Sequence, residues 1–358
     1  MFAYKLFVYR CVLRVFVVQK NMKAVFCFGE LLLRMSPLPA AQWIHDARMP
    51  VYVGGAELNV AQALACWQMP VKYCTALPNN TLSADICSVL SAKDIDVSPV
   101  HYGGSRIGIY YLTQGTDLKH AGVIYDRAYS SFSELKQGMI NWDEVLDGIS
   151  WFHFSAISPA LNANVAAVCK EALQVAASKG IAISVDLNYR AKLWQWGKQP
   201  VEIMPELVQY CNVIMGNIWS ANALLGIPVD ADIHAKKSKD AYLQHATESA
   251  DHIMQQYPKC KWVAQTFRFD KNNGIHYYAA LNGTQQQHVS KEYDVEIIKD
   301  KVGSGDCFMA GLIYGLSNQH APQHIVDFAA AAAIGKMNEV GDATRQTVEM
   351  VAAIIRRK

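Results

Sequence analysis

Short apolar runs alternate with longer stretches of helical pattern along this 358-residue chain from about residue 23 onward. Most of the short runs are β-branched or aromatic and apolar throughout, which is typical of strands buried on both faces of a sheet. The predicted strands span residues 24–28, 71–76, 151–155, 181–186, 213–215 and 262–266. The predicted helices span residues 58–68, 83–93, 164–178, 241–256, 307–316 and 325–337. This order predicts an α/β fold with a parallel sheet covered by helices on both faces.

Two regions have strand composition but no crossover helix between their members. The first region contains residues 31–35 and 51–53, and the second contains residues 107–113 and 123–125. Strands without a crossover favour antiparallel pairing, so we predict a small separate sheet of antiparallel type inserted into the main domain. Its segments, about 31–53 and 105–127, would form a lid over a ligand site.

The start of the chain has an ambiguous pattern. Residues 1–21 are rich in apolar residues, as in a signal peptide, but Arg10 and Arg14 interrupt them and no small-residue cleavage site precedes Met22. A predicted buried strand follows at once. We therefore expect residues 1–21 to be disordered or a translated upstream stretch, and residues 22–358 to form one domain with its lid.

The composition excludes several classes of protein. Apolar residues make up 51% of the chain and charged residues 18%, so a large core can form. The net charge is +2 and no basic block recurs on a helix face, so we do not expect a nucleic-acid partner. No apolar run reaches the roughly 18 residues of a membrane-spanning helix. Nine cysteines without a Cys-x-x-Cys pair predict reduced thiols and a cytoplasmic location.

The strongest chemical signal is Asp-Lys-Val-Gly-Ser-Gly-Asp at residues 300–306, directly before a predicted helix. Glycines there let the first helical amides converge on an anion, and the helix dipole favours negative charge, so phosphate is the natural ligand. Asp306 either caps the helix or takes a proton from a hydroxyl that attacks phosphorus. Walker A, Gly-x-Gly-x-x-Gly and His-Glu-x-x-His motifs are absent from the sequence, which disfavours P-loop NTPases, Rossmann dehydrogenases and zincins.

Two further motifs place polar residues beside predicted strands. Gly-Gly-Ala-Glu-Leu-Asn at residues 54–59 leads into a helix, where Asn59 can donate to and accept from a hydroxyl. Asp-Leu-Asn-Tyr-Arg at residues 186–190 ends a buried strand, where open α/β sheets bind their ligands. Alternatively, the first motif is an ordinary turn and Arg190 pairs with a neighbouring acid.

The three motifs occur in the order and spacing of the ribokinase-like sugar kinases, the PfkB family, which the chain resembles from about residue 23 to near its C-terminus. Within that family it most resembles the 2-keto-3-deoxygluconate kinases. Supporting stretches lie at residues 29–37, 106–111, 123–127 and 151–155. The resemblance implies a ribokinase-like α/β/α sandwich with a mostly parallel central sheet and a small inserted β-sheet lid. It also implies transfer of the ATP γ-phosphoryl group to a primary sugar hydroxyl.

The resemblance also implies roles for individual residues. Asp306 matches the catalytic base, and the amides of Gly303, Ser304 and Gly305 would hold the charge of the moving phosphoryl group. The sugar side would contain Gly54, Gly55, Asn59, Tyr110, Tyr125, Arg127 and Arg190. The nucleotide side would contain Gly303, Gly305, Asn217, Thr266, Arg268, Asn338 and Gly341. Planar guanidinium groups suit a carboxylate, so Arg127 and Arg190 favour a sugar acid over a neutral sugar.

Metal ions are implied in two places. The family often has Asn-x-x-Glu where this chain has Asn-Ile-Trp-Ser at residues 217–220, so the carboxylate associated with Mg²⁺ is missing. Either water and ATP oxygens then hold the ion, or activity is reduced. Asp300 would contact a monovalent cation such as K⁺; the alternative is an exposed acid at a strand end.

Several alternatives stay open at this point. A neutral-ketose or nucleoside kinase of the same fold would keep Asp306 without needing Arg127 and Arg190. A non-catalytic sugar-sensing protein would fit Ser220 at the usual acidic position. Both the gluconate-type and the galactonate-type epimer are compatible with the motifs. A lid sheet with an exposed apolar face favours a homodimer through the lid or a higher homo-oligomer.

Overall fold

The computed structural model describes residues 23–37, 49–113, 122–236, 238–271, 274–284 and 286–356. The predicted extension at residues 1–21 lies outside the described residues, as do inner parts of both lid segments. No helix in these ranges is long and apolar enough to cross a bilayer.

The described residues contain sixteen strands and eleven helices. The strands are β1 (Ala24–Phe28), β2 (Leu32–Met35), β3 (Val51–Gly54), β4 (Val71–Cys74), β5 (Ala76–Leu77), β6 (Ile95–Asp96), β7 (His101–Tyr102), β8 (Gly108–Tyr111), β9 (Ile124–Asp126), β10 (Ile149–Ser155), β11 (Ala182–Asp186), β12 (Val213–Gly216), β13 (Trp262–Lys271), β14 (Gly274–Asn282), β15 (Gln287–Val289) and β16 (Tyr293–Val295). The helices are α1 (Ala56–Cys66), α2 (Thr81–Ser91), α3 (Trp142–Val145), α4 (Ala163–Ser178), α5 (Pro200–Val208), α6 (Ile218–Leu225), α7 (Ile233–Lys236), α8 (Lys239–Gln256), α9 (Ser304–Ser317), α10 (Pro322–Met337) and α11 (Val348–Arg356).

The central sheet has the order β15-β14-β13-β12-β11-β10-β1-β4-β6, with β16 paired to β14. All neighbours from β13 to β6 are parallel, whereas β14, β15 and β16 add an antiparallel edge. The mostly parallel sheet of the sequence analysis is therefore confirmed. The antiparallel edge was not predicted, and the strand predicted at residues 71–76 is divided between β4 and β5, the latter pairing with β7.

Two large apolar cores fill most of the space between the sheet and its helices, and a smaller cluster lies between α7, α8 and strands β13 and β14. Successive side chains of a strand point to opposite faces, so Val25 and Cys27 of β1 join one core while Phe26 and Phe28 join the other. Helices α1, α9 and α10 cover the first face, and α4, α5 and α6 cover the second. This three-layer arrangement confirms the predicted α/β/α sandwich.

A second sheet of four strands, here called the lid sheet, has the order β3-β2-β8-β9. The pairs β2–β3 and β8–β9 are antiparallel, but the central pair β2–β8 is parallel. The prediction of an antiparallel sheet was therefore wrong for its central pair. Each antiparallel pair is formed by consecutive strands, whereas β2 and β8 come from distant parts of the chain, and residue composition does not encode their relative direction.

Candidate active site

A cavity of about 690 Å³ lies between the lid sheet and the carboxyl ends of β11, β12 and β13. Ligands of open α/β folds bind at this edge of the sheet. The predicted site residues that line the cavity are Gly55, Asn59, Tyr110, Tyr125, Arg127, Arg190, Asn217, Thr266, Arg268, Gly303, Ser304, Gly305 and Asp306. The structure therefore brings the three sequence motifs to one cavity, together with the lid.

Gly54, Asn338 and Gly341 are described but do not line this cavity. Gly54 lies against the side chain of Asp342, and no room for a Cβ atom remains there. Asn338 follows the end of α10 and is exposed. The amide of Gly341 donates to Asp300 at 3.3 Å. These three residues therefore lie outside the cavity lining, so their predicted contact with a ligand stays a prediction.

Asp306 lies on the first turn of α9, and Gly303 makes this helix start possible. Gly303 has a φ of 81°, and a Cβ atom there would collide with the backbone oxygen of Asp342. The Asp306 carboxylate is buried and accepts a hydrogen bond from Asn59 Nδ2 at 2.7 Å. Asn59 Oδ1 is also buried and has no partner among the described residues. Asn59 therefore positions the carboxylate and still has an acceptor for a ligand hydroxyl.

Three buried carboxyl groups near this point have a raised pKa. Burial raises the pKa of Asp306 to about 8; the Asn59 hydrogen bond opposes this shift, and the charges of Asp186 and Glu57 add to it. Burial likewise raises the pKa of Asp186 to about 6. Burial also raises the pKa of Glu57 to about 7, although hydrogen bonds from Ser155 oppose this shift. A pKa near the operating pH is what a general base requires.

The two arginines predicted to bind substrate differ in their partners. Arg127 is buried against Glu30, with Nε donating to Oε2 at 2.6 Å, so its charge is already balanced. Arg190 is half-buried, and its Nη1 donates to the backbone oxygen of Tyr189 at 3.0 Å. Among the described residues Arg190 has no carboxylate ion pair, although its charge lowers the pKa values of Asp186 and Asp306. Arg190 is thus the arginine with charge available for a ligand.

Ser220, which stands where the family often has glutamate, takes part in the N-terminal cap of α6. Asn217 Oδ1 accepts from the backbone nitrogen of Ser220 at 2.9 Å, and Ser220 Oγ donates to the backbone oxygen of Asn217 at 2.8 Å. Among the described residues that line the cavity, only Asp186 and Asp306 have carboxylates.

Several residues of this region were not found by sequence reasoning. Asp186 stood in a quoted motif but received no role, although its place at a strand end was a usable signal. Asp342, whose carboxylate accepts a hydrogen bond from the Tyr110 hydroxyl at 2.9 Å, ended the segment of residues 338–342 expected on the nucleotide side but received no role of its own. Asp300 is fully buried and accepts from Arg34 Nη2 at 2.7 Å, so it is not an exposed acid at a strand end.

Comparison with known proteins identifies the family. A model described as "pfkB family carbohydrate kinase" matches residues 22–346, and the chain belongs to this family. It is thus a carbohydrate kinase, and the resemblance seen in the sequence is confirmed. A 2-dehydro-3-deoxygalactonokinase of Haloferax volcanii is 25% identical over 334 residues, which cover 92% of this chain and 95% of that protein.

Solved structures agree with this assignment. The crystal structure of a 2-dehydro-3-deoxygluconokinase from Thermotoga maritima is 34% identical and has a TM-score of 0.83, covering 93% of this chain and 99% of that chain. A fructokinase from Xylella fastidiosa, solved with bound ATP, has a TM-score of 0.71 at 19% identity, covering 94% and 98% of the two chains. The fructokinase shares the fold, whereas the gluconokinase is also similar in sequence.

Proposed function

We propose that this carbohydrate kinase transfers the γ-phosphoryl group of ATP to the terminal hydroxyl of a 2-keto-3-deoxy sugar acid. The preferred substrate is 2-keto-3-deoxygluconate, and the product is 2-keto-3-deoxy-6-phosphogluconate. One observation carries the proposal: a buried carboxylate at a glycine-preceded helix start shares a cavity with an arginine whose charge is available. The names of the similar gluconokinase and galactonokinase support the same class of substrate.

The residues suggest how the transfer occurs. Asp306, in its deprotonated form, accepts the proton of the terminal hydroxyl, and that oxygen attacks the γ-phosphorus. The bond from the γ-phosphorus to the bridging oxygen breaks, and ADP leaves with the electron pair. Amides of Gly303, Ser304 and Gly305 at the start of α9 stabilise the charge on the transferred group. Asn59 holds Asp306 by its amide and accepts from a sugar hydroxyl through its free oxygen.

The donor set around the cavity fits a magnesium ion that arrives with the nucleotide. Mg²⁺ keeps several waters and binds phosphate oxygens, so it needs few protein carboxylates. Asp186 is the group that would hold its waters, because Ser220 offers no charge. The bound ion would neutralise charge on the β- and γ-phosphates. Thr266 and Arg268 lie on the proposed nucleotide side of the cavity.

The sugar-acid specificity rests chiefly on Arg190. A guanidinium group binds a carboxylate through two parallel hydrogen bonds, which a neutral sugar cannot accept in the same way. Arg127 lines the same cavity but is held by Glu30, so we assign it a role in shaping the sugar side. Tyr110 and Tyr125, whose ring centroids lie 6.5 Å apart, close that side from the lid sheet.

A substrate panel tests the proposed reaction. ADP release should be fastest with 2-keto-3-deoxygluconate or its galactonate epimer, and slower with fructose, ribose and adenosine. Asp306→Asn should lower kcat by several orders of magnitude while sugar binding, measured by calorimetry, stays nearly intact. Preference for a neutral sugar would refute the substrate assignment. A variant that keeps most of its turnover would remove Asp306 from the mechanism.

Replacement of Arg190 tests the specificity separately. Arg190→Gln should raise KM for the sugar acid about 10- to 100-fold, because a hydrogen bond to a charged group contributes about 1.5–3 kcal/mol. Its melting temperature should stay close to wild type, since no carboxylate ion pair within the described residues is broken. Arg127→Gln is the matched comparison, and it should lower the melting temperature by leaving Glu30 buried without its cation. Equal effects of both variants on KM, with equal stability, would contradict the division of roles.

We also propose a homodimer through the lid sheet and a cytoplasmic enzyme whose kinase domain spans residues 22–358. Half-exposed apolar side chains on the outer lid face support the dimer. The described cysteines contain no disulfide, and all but Cys66 are buried, which supports a reducing compartment.

A further inference from the structure

Four buried charged residues, here called the charge cluster, lie behind the glycine loop of residues 303–305. They are Arg34 of β2, Asp300, Lys336 of α10 and Asp342. Arg34 Nη2 bonds to Asp300 Oδ2 at 2.7 Å, and Arg34 Nε lies 2.7 Å from Asp342 Oδ1. Three of the four are 0% exposed and Asp342 is 3% exposed, so water screens none of them effectively.

The ammonium group of Lys336 is bound as a small cation would be. Its Nζ donates to the backbone oxygen of Gly341 at 2.7 Å and lies 3.5 Å from that of Glu339. Burial lowers the pKa of Lys336, while the charges of Asp300, Glu339 and Asp342 oppose that shift. Backbone carbonyls with nearby carboxylates are the oxygen ligands that a hard cation takes in proteins.

The charges of the cluster balance without any further ion. Arg34 and Lys336 supply two positive charges, and Asp300 and Asp342 supply two negative charges. The Glu339 carboxylate is only partly buried and accepts from Thr344 and the Arg345 amide, so it lies outside the cluster. An additional cation beside Asp300 would leave one uncompensated positive charge in a buried site, which is costly. Asp300 Oδ2 is already shared between Arg34 and the Gly341 amide, and Oδ1 accepts from the Val302 amide at 3.1 Å. The site that the family resemblance assigned to K⁺ does not fit an exchangeable ion.

The cluster is attached to the proposed phosphate loop on both sides. Asp300 holds the Val302 amide directly before Gly303, and a Cβ atom at Gly303 would lie 3.3 Å from Lys336 Cε. Arg34 belongs to the lid sheet, and Asp342 accepts from Tyr110, also of the lid sheet. The cluster therefore joins the lid to the loop of residues 303–305 that lines the cavity.

We propose that Lys336, assisted by Arg34, is a built-in replacement for a monovalent cation, so that phosphoryl transfer by this chain is independent of K⁺. Lys336 is a positioning residue: it fixes the loop of residues 300–305 and keeps a positive charge behind the anion-binding amides. The effect on rate rests on the proposed function, whereas the effect on folding and ion selectivity does not.

Cation exchange tests the proposal on the full chain without any substrate. Melting temperatures are measured with K⁺, Na⁺, NH₄⁺ or tetramethylammonium at about 0.1 M, so that ionic screening is constant. The wild type should respond to none of these ions selectively. Lys336→Ala leaves a space of ammonium size, so its lowered melting temperature should rise selectively with K⁺ and NH₄⁺. Lys336→Met is the matched control, because it removes the charge but fills the space, and these ions should not stabilise it.

Turnover supplies the second measurement. Wild-type kcat should be equal in K⁺ and tetramethylammonium, and NH₄⁺ should raise kcat of Lys336→Ala at least about tenfold, as expected for a restored charged hydrogen bond. Selective stabilisation or activation of the wild type by K⁺ would overturn the proposal. An equal response of the Ala and Met variants would do the same.

If no sugar is phosphorylated in any salt, the proposed function fails, and the melting temperatures still decide the inference. If Lys336→Ala does not fold, the wild-type measurements decide it.

Discussion

Asp306 has conflicting requirements for folding and for catalysis. The folded chain buries its carboxyl group, which favours the protonated form and raises the pKa to about 8. The proposed reaction needs the deprotonated form. The site therefore contains a group that is less stable in its active state than it would be in water, as active sites commonly do.

The conflict predicts a pH-dependent stability difference between the wild type and Asp306→Asn. Between the unfolded pKa of 3.8 and the folded pKa of about 8, the folded state binds a proton that the unfolded state does not bind. The free energy of unfolding of the wild type should therefore fall as pH rises through this window. Asparagine cannot ionise and can still accept from Asn59. The variant should become more stable than the wild type, by an amount that grows toward pH 8 and reaches a few kcal/mol.

Urea denaturation of both proteins from pH 5 to pH 9 measures this difference. The asparagine variant is its own control for all other titrating groups, because they are common to both chains. A difference that is constant across the range, or that shrinks toward pH 8, would show that the Asp306 carboxylate is not desolvated.

At the scale of elements, the start of α9 depends on two glycines with different functions. Gly303 has a positive φ and no space for a side chain, whereas a Cβ atom at Gly305 would have no atom of the described residues within 4 Å. Gly305 lines the cavity, so the space beside it is where the phosphoryl group is proposed to bind. One glycine is therefore needed for the fold and the other for the ligand.

Alanine at each glycine should separate these functions. Gly303→Ala should lower the free energy of unfolding by about 2–4 kcal/mol, through backbone strain and collision with Asp342. Gly305→Ala should fold at least as stably as the wild type, since alanine favours a helix, but its methyl group should weaken ATP binding. Urea denaturation and calorimetry with a non-hydrolysable ATP analogue measure the two effects. Loss of stability at Gly305 with unchanged nucleotide binding would contradict this assignment.

The elements themselves were largely predictable, because their signals are local. Strand β1 has the predicted bounds, and its continuous apolar run reflects burial on both faces. Strand β14 was not predicted, because the predicted strand at residues 262–266 stops short of the hairpin: β13 continues to Lys271, and β14 pairs with it antiparallel. The direction of β2 relative to β8 depends on the path of the chain between them.

The site was predictable as a set of motifs but not as a set of contacts. Asn59 and Asp306 were both named from their motifs, yet the hydrogen bond between them spans 247 positions. The partner of Arg127 was not foreseen, because Glu30 lies 97 positions away. Arg34 and Lys336 had no signal in the sequence, since a lysine or arginine in an apolar stretch gives no indication of its buried partner.

At the scale of the whole molecule, the lid sheet has an inner and an outer face. Leu32 and Arg34 of β2 are buried beneath the sheet, and the alternation along the strand places Leu33 and Met35 on the outer face. Leu33 is in register with Val53 on one side and Ile109 on the other, and Leu33 and Val53 are partly buried where they pack against the first apolar core. Val51 and Ile124 on the same sheet are about half exposed, at 50% and 51%. This apolar outer face is the surface that we assign to the second copy of the chain.

A charge on the outer lid face should separate the two copies. Light scattering after gel filtration should give the wild type a mass of twice 39.8 kDa and Leu33→Glu a mass near 39.8 kDa. A glutamate at the centre of an apolar interface would be buried without a partner, which is costly. Val89→Glu is the matched control, because Val89 is 56% exposed on α2, outside the lid sheet, and that variant should remain dimeric.

The monomeric variant should also show a raised KM for the sugar, because Tyr110 and Tyr125 reach the cavity from the lid sheet. A wild type that is monomeric at micromolar concentration, or a Leu33→Glu variant that stays dimeric, would contradict the assignment.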